Sequence, residues 1–207
     1  PIVLERGQEV RQRTKDTWGL WREGKLNTES NVQYGEGGAG TFSDGKLYSQ
    51  VKDKRHLGRK VLTEFVKAGA PEEIMYVSKP HIGTFKLVTM VENIRNDIIE
   101  LGGEIRFGCK VETIHRAVDG GSLSEDQLSE DQLSKNQLSK NQPSENKNGQ
   151  ITGVTLTSGT LNSRHVILAI GHSARDSFQM LLEQGVYIEP KPFSIGFRIE
   201  HPQSVID

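Results

Sequence analysis

The chain has 207 residues, of which 34% are apolar, with a mean hydropathy of −0.53 and a formal net charge of −1. That length suits one domain, or one domain and the edge of another, and the near-neutral charge speaks against a general affinity for nucleic acid or membranes. No apolar run approaches the ~20 residues that cross a bilayer and no signal-peptide pattern is visible, so a cytoplasmic setting is expected. A single cysteine, Cys109, excludes an intrachain disulfide and argues against a cysteine-based metal centre. A small buried apolar role near a strand is expected for it.

The chain opens at Pro1 directly on the apolar run IVL, so a piece of a longer protein is expected. Residues 2–4 read as a short buried strand closed by Glu5, Arg6 and Gly7. Residues 10–26 read as a helix anchored by Val10, Trp18, Leu20 and Trp21, weakening at Gly19 and turning at Gly24. The segment GEGGAGTFSDGKL at 35–47 follows, with Gly35, Gly37, Gly38, Gly40 and Gly45 inside eleven residues. Each glycine costs roughly 0.5–1 kcal/mol of ordering entropy inside a regular element, so a tight loop is expected there.

Residues 57–68 carry Leu57, Val61, Leu62, Phe65 and Val66 at helical spacing, with Gly69 as a C-terminal stop. Pro71 opens a short turn, and Thr84 is expected to cap the strongest helix. Its apolar face is Leu87, Met90, Val91, Ile94, Ile98 and Leu101, with Gly102 and Gly103 ending it. The period then changes to two: residues 104–107, 111–117, 151–157 and 164–170 read as strands, with Ser158 and Gly159 as a hairpin turn. Residues 174–184 read as a last helix, closed by Gly185. This order is an α/β pattern with a small antiparallel β-meander inserted.

A five-residue repeat separates two of the meander strands. LSEDQ occurs twice from Leu123, LSKNQ twice from Leu133, and PSENK at 143–147 is a decayed fifth copy. One leucine in five cannot bury enough area to offset ordering entropy, so a disordered or loosely helical extension of a length-tolerant hairpin is expected.

Glu5 ends the first strand, the position from which an acidic residue in dinucleotide-binding folds reaches ribose hydroxyls. By itself it reads first as a solvated strand end. Residues 35–47 expose backbone amides and let the main chain approach a flat or anionic ligand closely, with Thr41, Ser43 and Asp44 adding short polar side chains. They do not form a phosphate-binding GxxxxGK[ST] loop, because Leu47 stands where Ser or Thr would be needed. Composition alone accommodates a ligand loop and a flexible loop alike.

The blocks ERG, NVQYGEGGAGTFSDGKL, KPHIGTFKL, VILAIGHSARD and KPFSIGFRIEHPQ, in that order, resemble those of the FAD-dependent, or NAD(FAD)-utilising, dehydrogenase family. The resemblance spans nearly the whole chain outside the repeat. It implies an FAD/NAD(P)-binding, Rossmann-like three-layer α/β domain with the β-meander inserted, incomplete at both ends. The implied layout is a first part of the FAD-binding domain at 1–117, the repeat insertion at 118–149, the FAD-binding domain continued at 150–185, and the start of a second domain at 186–207.

The resemblance also implies residue roles. Glu5 would meet the adenosine ribose of FAD, with Arg6 flanking it. Gly37, Gly38, Ala39, Gly40 and Thr41 would line the pyrophosphate-to-flavin stretch, and Ser43, Asp44 and Gly45 would lie beside the isoalloxazine. Val111 would offer backbone groups to the adenine. Ala169, Ile170 and Gly171 would form the turn that passes the strand end under FAD. The implied activity is two-electron transfer through flavin with NAD(P)H as co-substrate, on a small molecule that the resemblance does not specify. His81 and His172 fall in blocks expected near the flavin, where each reads first as a structural residue and, as the alternative, as a proton donor. The family's GxGxxG block and its later GDG-type block are absent from these residues. Weak FAD binding by the 207 residues alone, or none, is therefore expected. The alternatives are a flavin-binding protein without redox turnover and a cofactor-free interaction module.

Overall fold

The computed structural model describes residues 1–47, 52–117, 149–192, 195–197 and 199–206. Strand β1 (Ile2–Leu4) pairs in parallel with β2 (Glu104–Arg106), Ile2 opposite Glu104 and Leu4 opposite Arg106. A parallel pair needs a long crossover. Here the crossover contains three helices, α1 (Val10–Glu23), α2 (Leu57–Lys67) and α3 (Thr84–Glu100). A second, antiparallel sheet has the order β3-β4-β5, with β3 at Val111–Ala117, β4 at Gln150–Leu156 and β5 at Gly159–Asn162. Helix α4 (Arg175–Glu183) comes next, and a single helical turn, α5 (Gln203–Ile206), lies near the end of the chain.

Helix α1 runs straight through Gly19 and stops at Gly24, whose left-handed backbone (φ 67°) donates its N–H to Leu20 O at 3.0 Å. Helix α2 ends likewise: Gly69 (φ 105°) donates to Val66 O at 2.9 Å, and Ala70 donates to Phe65 O at 2.8 Å. Thr84 does not cap α3. Gly83 occupies the cap, and the Thr84 hydroxyl donates instead to Ser43 O at 3.1 Å, tying α3 to the glycine-rich segment. A threonine Oγ can bond any nearby carbonyl, and here the tertiary partner wins over the local one.

Two apolar clusters hold these elements. Ala68, Ala70, Ile74, Ile82, Leu87 and Met90 form the first, between α2, the 3₁₀ turn Glu72–Met75 and α3. Cys109, Val154 and Leu156 form the second, with Leu4, Val111 and Ile114 packed on it. Cys109 is thus a buried apolar side chain joining the two sheets. Leu101, expected on the core face of α3, is instead exposed one residue past the end of the helix.

Residues 164–170 correct a second expectation. They form no strand, and β4 pairs instead with the shorter β5. An apolar run becomes a strand only when a neighbouring edge takes its N–H and C=O groups, and none of the described strands does so. Val166 reaches the second cluster, while Ile167 is 93% exposed. The five-residue repeat lies outside the described residues, as does the rest of the 118–149 insertion apart from Gly149. Among the described residues no helix is long and apolar enough to cross a membrane, and no group of three acidic, His or Cys side chains is placed to hold a metal ion.

A candidate ligand cavity beside the parallel strand pair

In open α/β sheets, ligands bind outside the carboxyl ends of parallel strands. At those ends of β1 and β2 the chain makes two close turns. Gly108 donates to Gly7 O at 2.9 Å and Cys109 to Glu5 O at 3.0 Å, so residues 5–7 and 108–109 run side by side. Beside them is a cavity of about 350 Å³ lined by Arg6, Gln8, Glu29, Ser30, Lys110 and Thr157, among others. Its wall contains one orphan. Ser30 is 1% exposed, and its hydroxyl finds no hydrogen-bond partner among the described residues. A buried hydroxyl left unpaired is costly.

The cationic wall is held by acids. The Arg6 guanidinium meets Glu29 at 2.7 Å and Asp176 at 3.0 Å, and lies 4.6 Å from the centre of the Tyr34 ring. Lys110 Nζ meets the other Asp176 oxygen at 2.8 Å. Asp176, in the first turn of α4, thereby clamps both cations, and the Tyr34 hydroxyl donates to Ser173 O just ahead of that helix. Hydrogen bonding from Arg6, followed by that from Lys110, holds the Asp176 carboxyl far below the usual carboxylate range despite some burial. A depressed folded-state pKa adds stability above the unfolded value of about 3.9 and loses it as pH falls through the folded value. Asp176→Asn is expected to cost about 1 kcal/mol at neutral pH, because the side chain is 42% exposed and solvent screens it. In urea titrations the gap between variant and wild type should be smaller at about pH 2 than at about pH 7.

The glycine-rich segment abuts this cavity. Glu36 donates its N–H to Gln8 O at 3.0 Å, and the backbones of Gly7 and Gly35 are in van der Waals contact. Inside the segment, Ala39–Phe42 form a 3₁₀ turn, which the glycine density alone does not predict. Thr41 is buried, its hydroxyl donating to Gly38 O at 2.9 Å. The amides of Gly37, Ala39 and Gly40 take no acceptor among the described residues, and a Cβ at Gly38 would point into open space.

At its far end the segment is strapped to the KPHIG block. Leu47 donates to Pro80 O, Ile82 to Gly45 O and Gly83 to Asp44 O, all within 3.2 Å, and Lys46 pairs with His81 in an isolated bridge. His81 is thus brought to the glycine segment, on an exposed position.

The other expected site residues divide. Arg6 lines the cavity; Glu5 does not, because its carboxylate folds back to accept the Gly7 N–H at 2.8 Å. Val111 sends its side chain into the second cluster, while its neighbours Lys110 and Glu112 face the cavity. Ala169 and Gly171 are exposed in irregular chain and line nothing there. His172 is exposed with its ring 3.3 Å from Ser173 Oγ.

Arg13 and Glu36 were not among the expected site residues. Glu36 accepts the Val10 N–H at 2.8 Å at the start of α1, and burial raises its pKa. Arg13 is fully buried beneath the glycine segment. Burial draws its pKa down to about 10, against the pull of Glu5 and Glu36, so it is a cation at neutral pH. The signal for it was one helix face, Val10, Arg13 and Thr17, whose middle member is charged.

No family model matches the chain. An uncharacterised protein of Clostridium beijerinckii is 44% identical over all 207 residues. The chain spans 33% of that relative's length.

Proposed function

We propose that these residues supply part of the FAD site of a flavin-dependent oxidoreductase, with the β1–β2 pair belonging to a Rossmann-like sheet. The observation that carries this reading is the cavity beside the carboxyl ends of the parallel pair, with the unpaired, buried Ser30 hydroxyl in its wall. The residues suit the cofactor. Arg6 offers donors to ribose oxygens, and the backbone around Lys110 borders the space for an adenosine. The unoccupied amides of Gly37, Ala39 and Gly40 lie on the neighbouring glycine segment. When bound, FAD would supply two-electron transfer, while the protein orients it and sets the local charge. Glu29 and Asp176 hold Arg6 in place, and His81 stands on the strap behind Ser43–Gly45 as a candidate proton donor.

The test is the full-length protein, purified and assayed for flavin, then titrated anaerobically with NADH and NADPH. Stoichiometric flavin that bleaches with one of the two is the expected result. Flavin that neither nucleotide bleaches would leave a binding protein without nicotinamide-driven turnover. Purification without flavin, and no uptake of added FAD, would end the cofactor reading.

A further inference from the structure

A buried guanidinium is normally paired with a carboxylate. Arg13 is not. Its side chain is 0% exposed, and among the described residues every hydrogen bond it donates goes to a neutral oxygen, Glu5 and Glu36 acting on it only through space. Nη2 donates to Asn31 O at 2.9 Å and to Val32 O at 3.1 Å, while Nε is 3.3 Å from Asn31 O. Nη1 donates to Glu36 O, to Gly38 O at 2.9 Å and to Thr41 Oγ1 at 2.9 Å. The guanidinium carbon also lies 5.0 Å from the centre of the Phe42 ring.

These acceptors form two groups. Asn31 and Val32 directly follow Glu29 and Ser30 in the cavity wall, while Glu36, Gly38 and Thr41 belong to the glycine segment. A planar fork with five donors can hold two loops in one register, and turning their carbonyls inward fixes the course of both. We infer that Arg13 is the positioning residue of the site, setting the cavity wall and the glycine segment against each other from beneath, without touching a ligand itself. This inference rests on the cofactor reading above. Lysine cannot replace it, because an ammonium presents three donors from one point and cannot span acceptors on both loops.

The experiment compares full-length wild type with Arg13→Lys by amide hydrogen exchange and by FAD titration with the bound-flavin absorption spectrum. Arg13→Lys is expected to exchange about tenfold faster in peptides covering 29–42, with α3 and the β3–β4 pair unchanged. Its FAD affinity is expected to fall about tenfold, with an altered flavin spectrum. Thr41→Val, which removes a single acceptor, should show a smaller change in the same direction and decides the matter if Arg13→Lys does not fold. Wild-type exchange at 29–42 overturns the inference, as does a rise spread evenly over the chain, which marks a general folding role. Unchanged FAD affinity and spectrum in Arg13→Lys also overturn it. A wild type that binds no FAD overturns the cofactor reading separately, and the exchange comparison then still judges whether Arg13 sets the two loops.

Discussion

Gly7→Ala is expected to destabilise the fold by about 3 kcal/mol, because the added methyl group meets only backbone. A Cβ on Gly7 would come within 2.5 Å of Gly35 Cα, 2.6 Å of Gly35 N and 3.0 Å of Glu29 O. All three are backbone atoms, so no rotamer change relieves the overlap. The only escape is to move the glycine segment off the end of β1, which would break the Glu36 N–H to Gln8 O bond and open the cavity wall. Gly24→Ala is the matched control. It adds the same methyl group to a left-handed residue with nothing within 4 Å, and should cost about 1 kcal/mol from backbone conformation alone. Urea unfolding followed by the fluorescence of Trp18 and Trp21, both on α1, separates the two. Equal midpoints would mean that the Gly7–Gly35 contact carries no weight.

The contact also explains what the sequence could and could not convey. Helices α1, α2 and α3 were legible because each carries its own periodic apolar face and a local stop, as at Gly24 and Gly69. The β3–β4 pair was legible from period two. What failed was whatever depended on a distant partner. Residues 164–170 have the composition of a strand, but a strand is a property of two segments, and the second is not among the described ladders. Thr84 has the chemistry of a cap, yet Ser43 O, 41 positions away in sequence, takes its hydroxyl. The candidate site divides along the same line. Its glycines announced themselves by density, and Arg6 by its place after β1. Ser30 carries no local signal at all, since only the surrounding burial makes an unpaired hydroxyl informative. Arg13 is the clearest case: a charged residue in a charged helix reads as solvent-facing until the loop that surrounds it is in place.

That dependence gives a second large effect, which is a coupling rather than a single loss. A Cβ on Gly35, at φ 118°, would overlap Cγ, Cδ and Nε of Arg13, a side chain that its hydrogen bonds prevent from moving aside. Gly35→Ala alone should therefore cost about 3 kcal/mol. Arg13→Ala alone should cost about 4 kcal/mol, because it leaves a cavity and strands the carbonyls of Asn31, Val32, Glu36 and Gly38. With Arg13 already truncated, however, the three atoms nearest the new methyl group at Gly35 are gone, and a conformational penalty of about 1 kcal/mol remains. The double variant should thus be more stable than the sum of the singles by about 2 kcal/mol. Measuring all four proteins in the same concentration of sucrose, which favours the folded state, keeps the double variant within range of a urea titration. Strict additivity would show that the glycine at position 35 is required by its backbone angle alone, and that Arg13 does not fill the space beneath the segment.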